Sequence, residues 1–190
     1  MRTPFLAVDA TVLGDNIART QAWSEARGLR LRPHVKTHKS VEIARLQVDA
    51  GASGITVATI GEAEVFADAG FDDLFVAYPL WPSEESLRRL RALAGRARVQ
   101  VGIDSPDAAR GWSGVGVRAL VEVDSGHHRS GVLPDRAGAL AQGAAASGLD
   151  VVGVFTFPGH SYSPTGRAEA ARDEADALAA AAASLMSVGI

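Results

Sequence analysis

The stretch DAGASGITV at residues 49–57 is echoed by DAGFDDLFV at residues 68–76. In both stretches a glycine follows a segment with helical spacing and precedes a short apolar run. Glycine adopts the left-handed conformation that ends a helix without steric strain, so Gly51 and Gly70 mark the change from helix to strand. The repeat predicts a chain that alternates helices with parallel strands.

Seven short apolar runs, spaced along the whole sequence, have the length of buried strands. They cover residues 5–8, 31–36, 54–58, 74–78, 99–104, 119–124 and 151–157. Longer segments with apolar residues at helical spacing lie between or after them, at residues 12–26, 41–50, 61–69, 84–93, 134–147 and 168–188. This order favours an α/β fold of the (β/α)8, TIM-barrel type over an open sheet.

The end of the sequence repeats the pattern of the earlier units. The helical run at residues 168–188 is followed by Gly189, at the point where a further strand would begin. A complete barrel has eight strands and about 250 residues. We therefore expect residues 1–190 to form one incomplete barrel domain that stops after the seventh β/α unit.

The composition is that of an ordinary soluble globular domain, with 47% hydrophobic residues, 22% charged residues and a net charge of -3. Basic side chains are scattered, which argues against nucleic acid or an anionic membrane surface and favours a small-molecule partner. The apolar run at residues 177–190 is shorter than the roughly 20 residues of a membrane span. The absence of cysteine excludes disulfides and Cys-based zinc sites. With no secretory signal at the start, we expect a cytoplasmic protein.

The first polar cluster is RPHVKTHKS at residues 32–40, where the second predicted strand ends. Barrel enzymes carry their chemistry at the C-terminal ends of strands, which is where Lys36 falls. A lysine that is partly desolvated there and close to other cations is readily deprotonated, and its amine can attack a carbonyl to form a Schiff base. The spacing alone is equally compatible with Lys36 and Lys39 as solvated loop charges.

A second cluster, VEVDSGHHRSGV at residues 121–132, leaves the sixth predicted strand and enters a glycine-bounded loop. By residue type alone, Arg129 is more typical of a surface loop than of a site. The side chains of His127 and His128 should diverge because the two residues are adjacent, which argues against a two-histidine metal site. The commoner role for Asp124, and for Asp104 at the preceding strand end, is to cap the turn that follows.

A third cluster, FTFPGHSY at residues 155–162, ends the seventh predicted strand. His160 and Tyr162 are candidates for contact with a substrate or cofactor, and a polar turn with Tyr162 packed on the rim fits the pattern equally well. Tyr78, at the end of the fourth predicted strand, fits a pocket lining or a hydrophobic plug.

The segments TPFLAVD at residues 3–9, Asn16-Ile17, and RPHVKTHK at residues 32–39 resemble the opening of the D-threonine aldolase and D-serine dehydratase family. These are fold-type III pyridoxal-phosphate (PLP) enzymes related to alanine racemase. The resemblance implies that Lys36 carries PLP as an internal aldimine and that His34 belongs to the cofactor site. Alanine racemases proper follow this lysine with a segment that contains a tyrosine, whereas Thr37-His38-Lys39 follows here and favours the aldolase and dehydratase branch.

The other two clusters extend the resemblance to about residue 162. Residues 121–132 are similar to the family's segment of an acidic residue, Asp, Gly and then Arg-x-Gly, which implies that Arg129 lies near the cofactor ring. The Gly159-His160-Ser161-Tyr162 segment resembles the dehydratase form more than the aldolase form, and it implies cofactor or substrate contacts for His160 and Tyr162.

The activity implied by this resemblance is that of a PLP-dependent lyase acting on D-amino acids with a β-hydroxyl group. Relatives of both kinds also use a divalent metal, zinc or manganese, whose ligands lie in a C-terminal β-domain outside this chain, and fold-type III relatives commonly form their sites at a dimer interface. We accordingly expect a homodimer when full length and an inactive 190-residue chain. The alternatives are a PLP-binding homeostasis protein without catalysis, an amino-acid racemase, and a barrel that binds no PLP.

Overall fold

Five parallel strands form the central sheet in a computed structural model that describes residues 3–190. The strands are β1 (Ile55–Val57), β2 (Asp73–Pro79), β3 (Arg98–Ile103), β4 (Arg118–Val123) and β5 (Asp150–Thr156). They pair in sequence order, each parallel to the next. Parallel neighbours require a crossover connection, and a helix supplies it between each pair of strands.

Seven α-helices accompany the sheet within the described residues. They are α1 (Ala10–Glu25), α2 (Val41–Asp49), α3 (Ile60–Asp68), α4 (Glu84–Ala94), α5 (Pro106–Trp112), α6 (Ala137–Ala146) and α7 (Arg167–Ser187), with short 3-10 turns at Val35–Thr37, Pro134–Arg136 and Gly159–Tyr162. Gly51 and Gly70 follow α2 and α3 with φ values of 116° and 88°, which confirms the glycine-bounded repeat. Within residues 3–190 there is no helix both long and apolar enough to cross a membrane.

The core lies between the sheet and the helices that flank it. Strand residues such as Ile55, Leu74 and Val101 are completely buried, as is Trp112 of α5. Burial of one such side chain contributes about 1.5–3 kcal/mol to stability. The run of buried apolar residues along each central strand is typical of parallel sheets covered on both faces.

The predicted first strand, residues 5–8, is not a strand in the structure. Leu6 is 97% exposed and Phe5 is 56% exposed. An extended segment becomes a strand only when a neighbour satisfies its N–H and C=O groups, and no described segment pairs with residues 5–8. The strand prediction for residues 5–8 was therefore wrong.

The predicted second strand, residues 31–36, is reduced to a single bridge beside β1. His34 pairs in parallel with Thr56, and the N–H of Thr56 donates to the carbonyl of Pro33 over 2.7 Å. Pro33 has no N–H to extend the ladder, and the chain turns into the 3-10 turn Val35–Thr37. Lys36 accordingly lies within that turn. The prediction that Lys36 ends a strand was wrong.

Two helices also differ from the prediction. The predicted helix at residues 134–147 is divided into the turn Pro134–Arg136 and α6. Helix α5 was missed because its 7 residues are too few to show a helical period. Its start nevertheless carries two signals, a Ser105 side chain that accepts from the N–H of Ala108 and a proline in the first turn.

Candidate active site

Four side chains from three segments surround the ring of Phe157, directly after β5. The Lys36 Nζ lies 5.6 Å from the ring centroid and the Arg129 Cζ lies 4.6 Å from it. The His127 ring meets it edge-on at 5.6 Å, and the Tyr162 ring lies 6.1 Å away. Lys36 is beside β1 and Phe157 follows β5, at opposite edges of the sheet, so the sheet must curve like a barrel wall to bring them together.

The two lysines of the first cluster have different surroundings. The Nζ of Lys39 lies 3.1 Å from the Oε1 of Glu62. Among residues 3–190 no carboxylate forms an ion pair with Lys36. Lys36 is exposed, which differs from the partial desolvation expected from the sequence. Its amine is therefore open to a ligand on the side of the aromatic ring, whereas the amine of Lys39 is engaged.

His34 holds the turn that presents Lys36. Its Nδ1 accepts a hydrogen bond from the backbone N–H of Lys36 over 3.4 Å. Burial, and then the positive charge of Lys36, lower the pKa of His34 below its ordinary value. A neutral imidazole beside the lysine can accept a proton, which is the chemical capacity His34 brings to the site.

Arg129 lies between two aromatic rings. Its Cζ is 5.4 Å from the centroid of Tyr78 and 4.6 Å from that of Phe157. Each such cation–π contact at an exposed site contributes about 0.5–1 kcal/mol. The rings fix the plane of the guanidinium while 38% of the side chain remains exposed. The arginine is thus both oriented and available to an anionic group.

Glu122 of β4 is a buried carboxylate next to this arginine. Its side chain is 3% exposed, and its Oε1 lies 3.9 Å from the Nη2 of Arg129. The hydroxyl of Ser130 donates to the same oxygen over 2.9 Å, while Oε2 has no hydrogen-bond partner among the described residues. Burial raises the pKa of Glu122, although Ser130 and Arg129 oppose the rise.

Asp124 caps the loop after β4, as its position at a strand end indicated. Its Oδ1 accepts from the N–H groups of Gly126 and His128, each over 3.0 Å, and its Oδ2 lies 2.7 Å from the Nδ1 of His128. Burial disfavours the ionised form, but the hydrogen bonds from His128 and Gly126 outweigh it and lower the pKa of Asp124. His128 therefore faces Asp124 while His127 faces Phe157, and the two side chains diverge as predicted.

The two candidates after β5 occupy different environments. Tyr162 is 78% exposed and lies near Phe157 at the end of the 3-10 turn. His160 is half-buried, and its Nε2 lies 3.4 Å from the Oδ2 of Asp173 on α7. That contact lacks hydrogen-bond geometry, and both ring nitrogens are buried without a hydrogen-bond partner among the described residues. The structure thus brings Lys36, Arg129 and Tyr162 around one ring and places His160 against α7.

Sequence reasoning did not single out Phe157 or Glu122. The signal for Glu122 was present, since it is the only charged residue in the apolar run ALVEV at residues 119–123. Phe157 gave no comparable signal, because an aromatic residue at a strand end is most often part of the core. Within the described part of the chain, no group of three or more potential metal ligands is found.

Comparison with known proteins assigns these features to a family. Residues 8–190 match the model described as alanine racemase, N-terminal domain. The chain belongs to this family. The fold is accordingly the TIM-barrel-like fold of the alanine racemase N-terminal domain, as predicted, and the resemblance to fold-type III PLP enzymes is confirmed.

Relatives within the family carry several names. An uncharacterised protein of Mycobacterium tuberculosis is 48% identical over 142 residues, which are 70% of this chain and 81% of that protein. The D-threo-3-hydroxyaspartate dehydratase of a Delftia species is 39% identical over 84% of this chain and 44% of the enzyme. Its solved structure superposes with a TM-score of 0.92 at 36% identity over 100% of this chain and 53% of that one.

A second solved structure, the D-threonine aldolase of Filomicrobium marinum, has a TM-score of 0.89 at 31% identity and matches 100% of this chain and 54% of its own. The chain therefore spans about half the length of these two enzymes of the family.

Proposed function

We propose that the protein is a PLP-dependent lyase for D-amino acids that carry a β-hydroxyl group, and that Lys36 holds the cofactor. The observation that carries the proposal is the position of the Lys36 amine, 5.6 Å from the Phe157 centroid and without a carboxylate partner among residues 3–190, while Lys39 is paired with Glu62. The names of two relatives support the substrate class, because threonine and 3-hydroxyaspartate both carry a β-hydroxyl.

The side chains around Phe157 fit this cofactor. PLP is a flat aromatic aldehyde with a phenolic oxygen and a phosphate group. Lys36 supplies an amine for the aldehyde. Arg129 supplies a fixed cation for an anionic oxygen, and Phe157 supplies an aromatic surface beside both. His34 and Tyr162 complete the set of cofactor contacts we propose, and His160 acts through the loop it packs against.

When bound, PLP acts as an electron sink for the negative charge left on the substrate Cα as a bond to it breaks. The protein determines which bond breaks by orienting the substrate. Arg129, in contact with two rings, and Tyr162, which is exposed near Phe157, are placed to bind anionic and polar groups. The imidazole of His34 can take up a proton, because burial and the charge of Lys36 lower its pKa and keep it neutral. The amine of Lys36 is the second nitrogen base at the site.

We also propose that the full-length protein is a homodimer that binds a divalent metal. Residues 1–190 would form the cofactor-binding barrel domain of a homodimer. A divalent metal, zinc or manganese, would be held by ligands outside these residues.

Borohydride trapping tests the cofactor site. Reduction of the PLP-loaded full-length protein should fix the label on Lys36, as located by peptide mapping. Lys36→Ala should abolish labelling, and the matched variant Lys39→Ala should retain it, because Lys39 is engaged with Glu62. Recovery of the label on Lys39 would overturn the assignment.

Turnover tests the lyase activity separately. The protein should convert D-threonine to glycine and acetaldehyde, or D-serine and D-threo-3-hydroxyaspartate to a keto acid and ammonia, and Lys36→Ala should abolish either reaction. PLP binding at Lys36 with no turnover of any of these substrates would point instead to the non-catalytic homeostasis protein, and interconversion of D- and L-amino acids would point to a racemase.

A further inference from the structure

The loops after β4 and β5 each carry a Gly-His pair, Gly126-His127 and Gly159-His160, and each histidine ring packs on the glycine of the other loop. A methyl group built on Gly159 would lie 2.6 Å from the Nε2 of His127. One built on Gly126 would lie 3.3 Å from the Nε2 of His160. The ring of His127 therefore leaves no room for any side chain at residue 159, and the contact at residue 126 is also close. We call these four residues the glycine–histidine interlock.

One hydrogen bond joins the two loops next to the interlock, and helix α7 lies against its outer side. The hydroxyls of Ser125 and Thr156, one at the base of each loop, lie 2.8 Å apart and form a hydrogen bond. On the outer side, Asp173 of α7 lies 3.4 Å from the Nε2 of His160. The two loops are thus joined by the Ser125–Thr156 hydrogen bond and by the interlock, and the loop after β5 also contacts helix α7.

The same two loops carry the side chains that surround Phe157. Arg129 is two residues after His127, and Tyr162 is two residues after His160. The His127 ring also meets Phe157 directly, at 5.6 Å and an interplanar angle of 81°. A change in the interlock must therefore alter the position of Arg129 relative to Phe157, because the segment between them is short.

We propose that His127 and His160 are positioning residues, whose reciprocal packing on Gly159 and Gly126 fixes the Arg129 loop relative to the Tyr162 loop. The consequence for PLP rests on the proposed function, whereas the packing itself does not. A site assembled from separate loops requires such a device, because a displacement of about 1 Å at a reacting group can reduce the rate about a hundredfold.

Gly159→Ala is the sharpest test. Gly159 is not among the residues with positive φ, so alanine adds a methyl group without backbone strain. The variant should displace the His127 ring and weaken PLP binding by about tenfold, within the coupling range of contacting residues. In a His127→Ala background the methyl group has room, and Gly159→Ala should cause no further loss. Gly143→Ala on α6, where nothing lies within 4 Å, is the matched control and should leave PLP binding unchanged.

A second double-mutant cycle, with Arg129→Ala, distinguishes an effect on the position of Arg129 from a general loss of stability. If the interlock acts through Arg129, Gly159→Ala should lower PLP affinity in the unsubstituted protein but not in an Arg129→Ala background. The melting temperature should fall in both backgrounds, since the steric conflict remains. Equal losses of PLP affinity with and without Arg129, or with and without His127, would overturn the proposal.

If the unsubstituted protein binds no PLP, the proposed function fails, and the melting temperatures of the Gly159 and His127 variants still decide whether the interlock exists.

Discussion

At the scale of single residues, Glu122 and Arg129 are opposite charges in unequal surroundings. The glutamate side chain is 3% exposed and the arginine side chain is 38% exposed, and their nearest atoms are 3.9 Å apart. A pair at this distance does not compensate fully for the loss of hydration of the buried partner. Glu122 therefore reduces stability at neutral pH while it helps to hold the Arg129 loop through Ser130.

Glu122→Gln should raise the melting temperature near pH 7. Burial raises the pKa of Glu122 above its ordinary 4.5 in the folded state, so the folded protein binds more protons than the unfolded chain between the two pKa values. The free energy of unfolding therefore decreases as the pH rises from the unfolded pKa through the folded pKa. Glutamine does not titrate, so the plot of stability against pH should be flatter for the variant in that range. Each kcal/mol of stability gained corresponds to a rise in melting temperature of about 2–4 °C for a chain of this size.

Melting curves of both proteins from pH 4 to pH 8 give the measurement, in roughly the range where a raised carboxyl pKa acts. The two profiles should converge at the acid end and separate toward neutral pH. Parallel profiles would show that Glu122 does not titrate with a raised pKa.

Arg129→Ala should reduce kcat/KM by about a hundredfold, the scale seen when a fixed electrostatic group is removed. It should also lower the melting temperature by a few degrees, because it removes two cation–π contacts of about 0.5–1 kcal/mol each. Arg129→Lys should recover only part of the loss, since lysine keeps the charge but not the flat guanidinium held between Tyr78 and Phe157. Arg110→Ala, which removes an exposed arginine of α5, is the control and should change neither quantity. A lower melting temperature with an unchanged kcat/KM would identify a structural arginine instead.

At the scale of elements, the parts that could be predicted are those with local causes. Helices α2, α3 and α4 begin where Ser40, Thr59 and Ser83 place a side-chain oxygen to accept from a backbone N–H, and Gly51 and Gly70 follow two of them at positive φ. These signals are written in a few adjacent residues. The helix boundaries predicted from periodicity accordingly agree with the structure to within about two residues for those helices.

The elements that could not be predicted depend on distant partners. Residues 5–8 have the composition of a strand, but no described segment lies beside them to pair with. Residues 31–36 reach β1 and then stop pairing after one bridge, since Pro33 lacks a donor and the turn Val35–Thr37 follows. The contacts around Phe157 are of the same kind. Lys36 and Phe157 are 121 positions apart in the sequence, and only the curvature of the sheet brings them together.

At the scale of the whole molecule, strand β5 both leads into the candidate active site and forms an edge of the sheet. The end of β5 carries Phe157, while its outer side has no strand neighbour among residues 3–190. Beside that edge, an apolar groove runs between β5 and the end of α7. It is lined by Val151, Val152, Gly153, Val154, Ala182, Leu185, Met186 and Ile190. Unpaired backbone groups next to exposed apolar side chains favour association with another chain.

The 190-residue chain, taken alone, should therefore self-associate through β5 as its concentration rises. Val152 is 41% exposed and lies where the β4–β5 register shifts, so lysine can replace it without breaking a paired position. A lysine on an edge strand opposes edge-to-edge pairing because its charge would be buried against the second chain. Val152→Lys should shift the sedimentation profile toward monomer at each concentration. The matched variant Val65→Lys replaces a valine that is 57% exposed on helix α3, away from any strand edge, and should leave the profile unchanged. Equal effects of the two lysines would mean that general surface hydrophobicity, and not the β5 edge, drives the association.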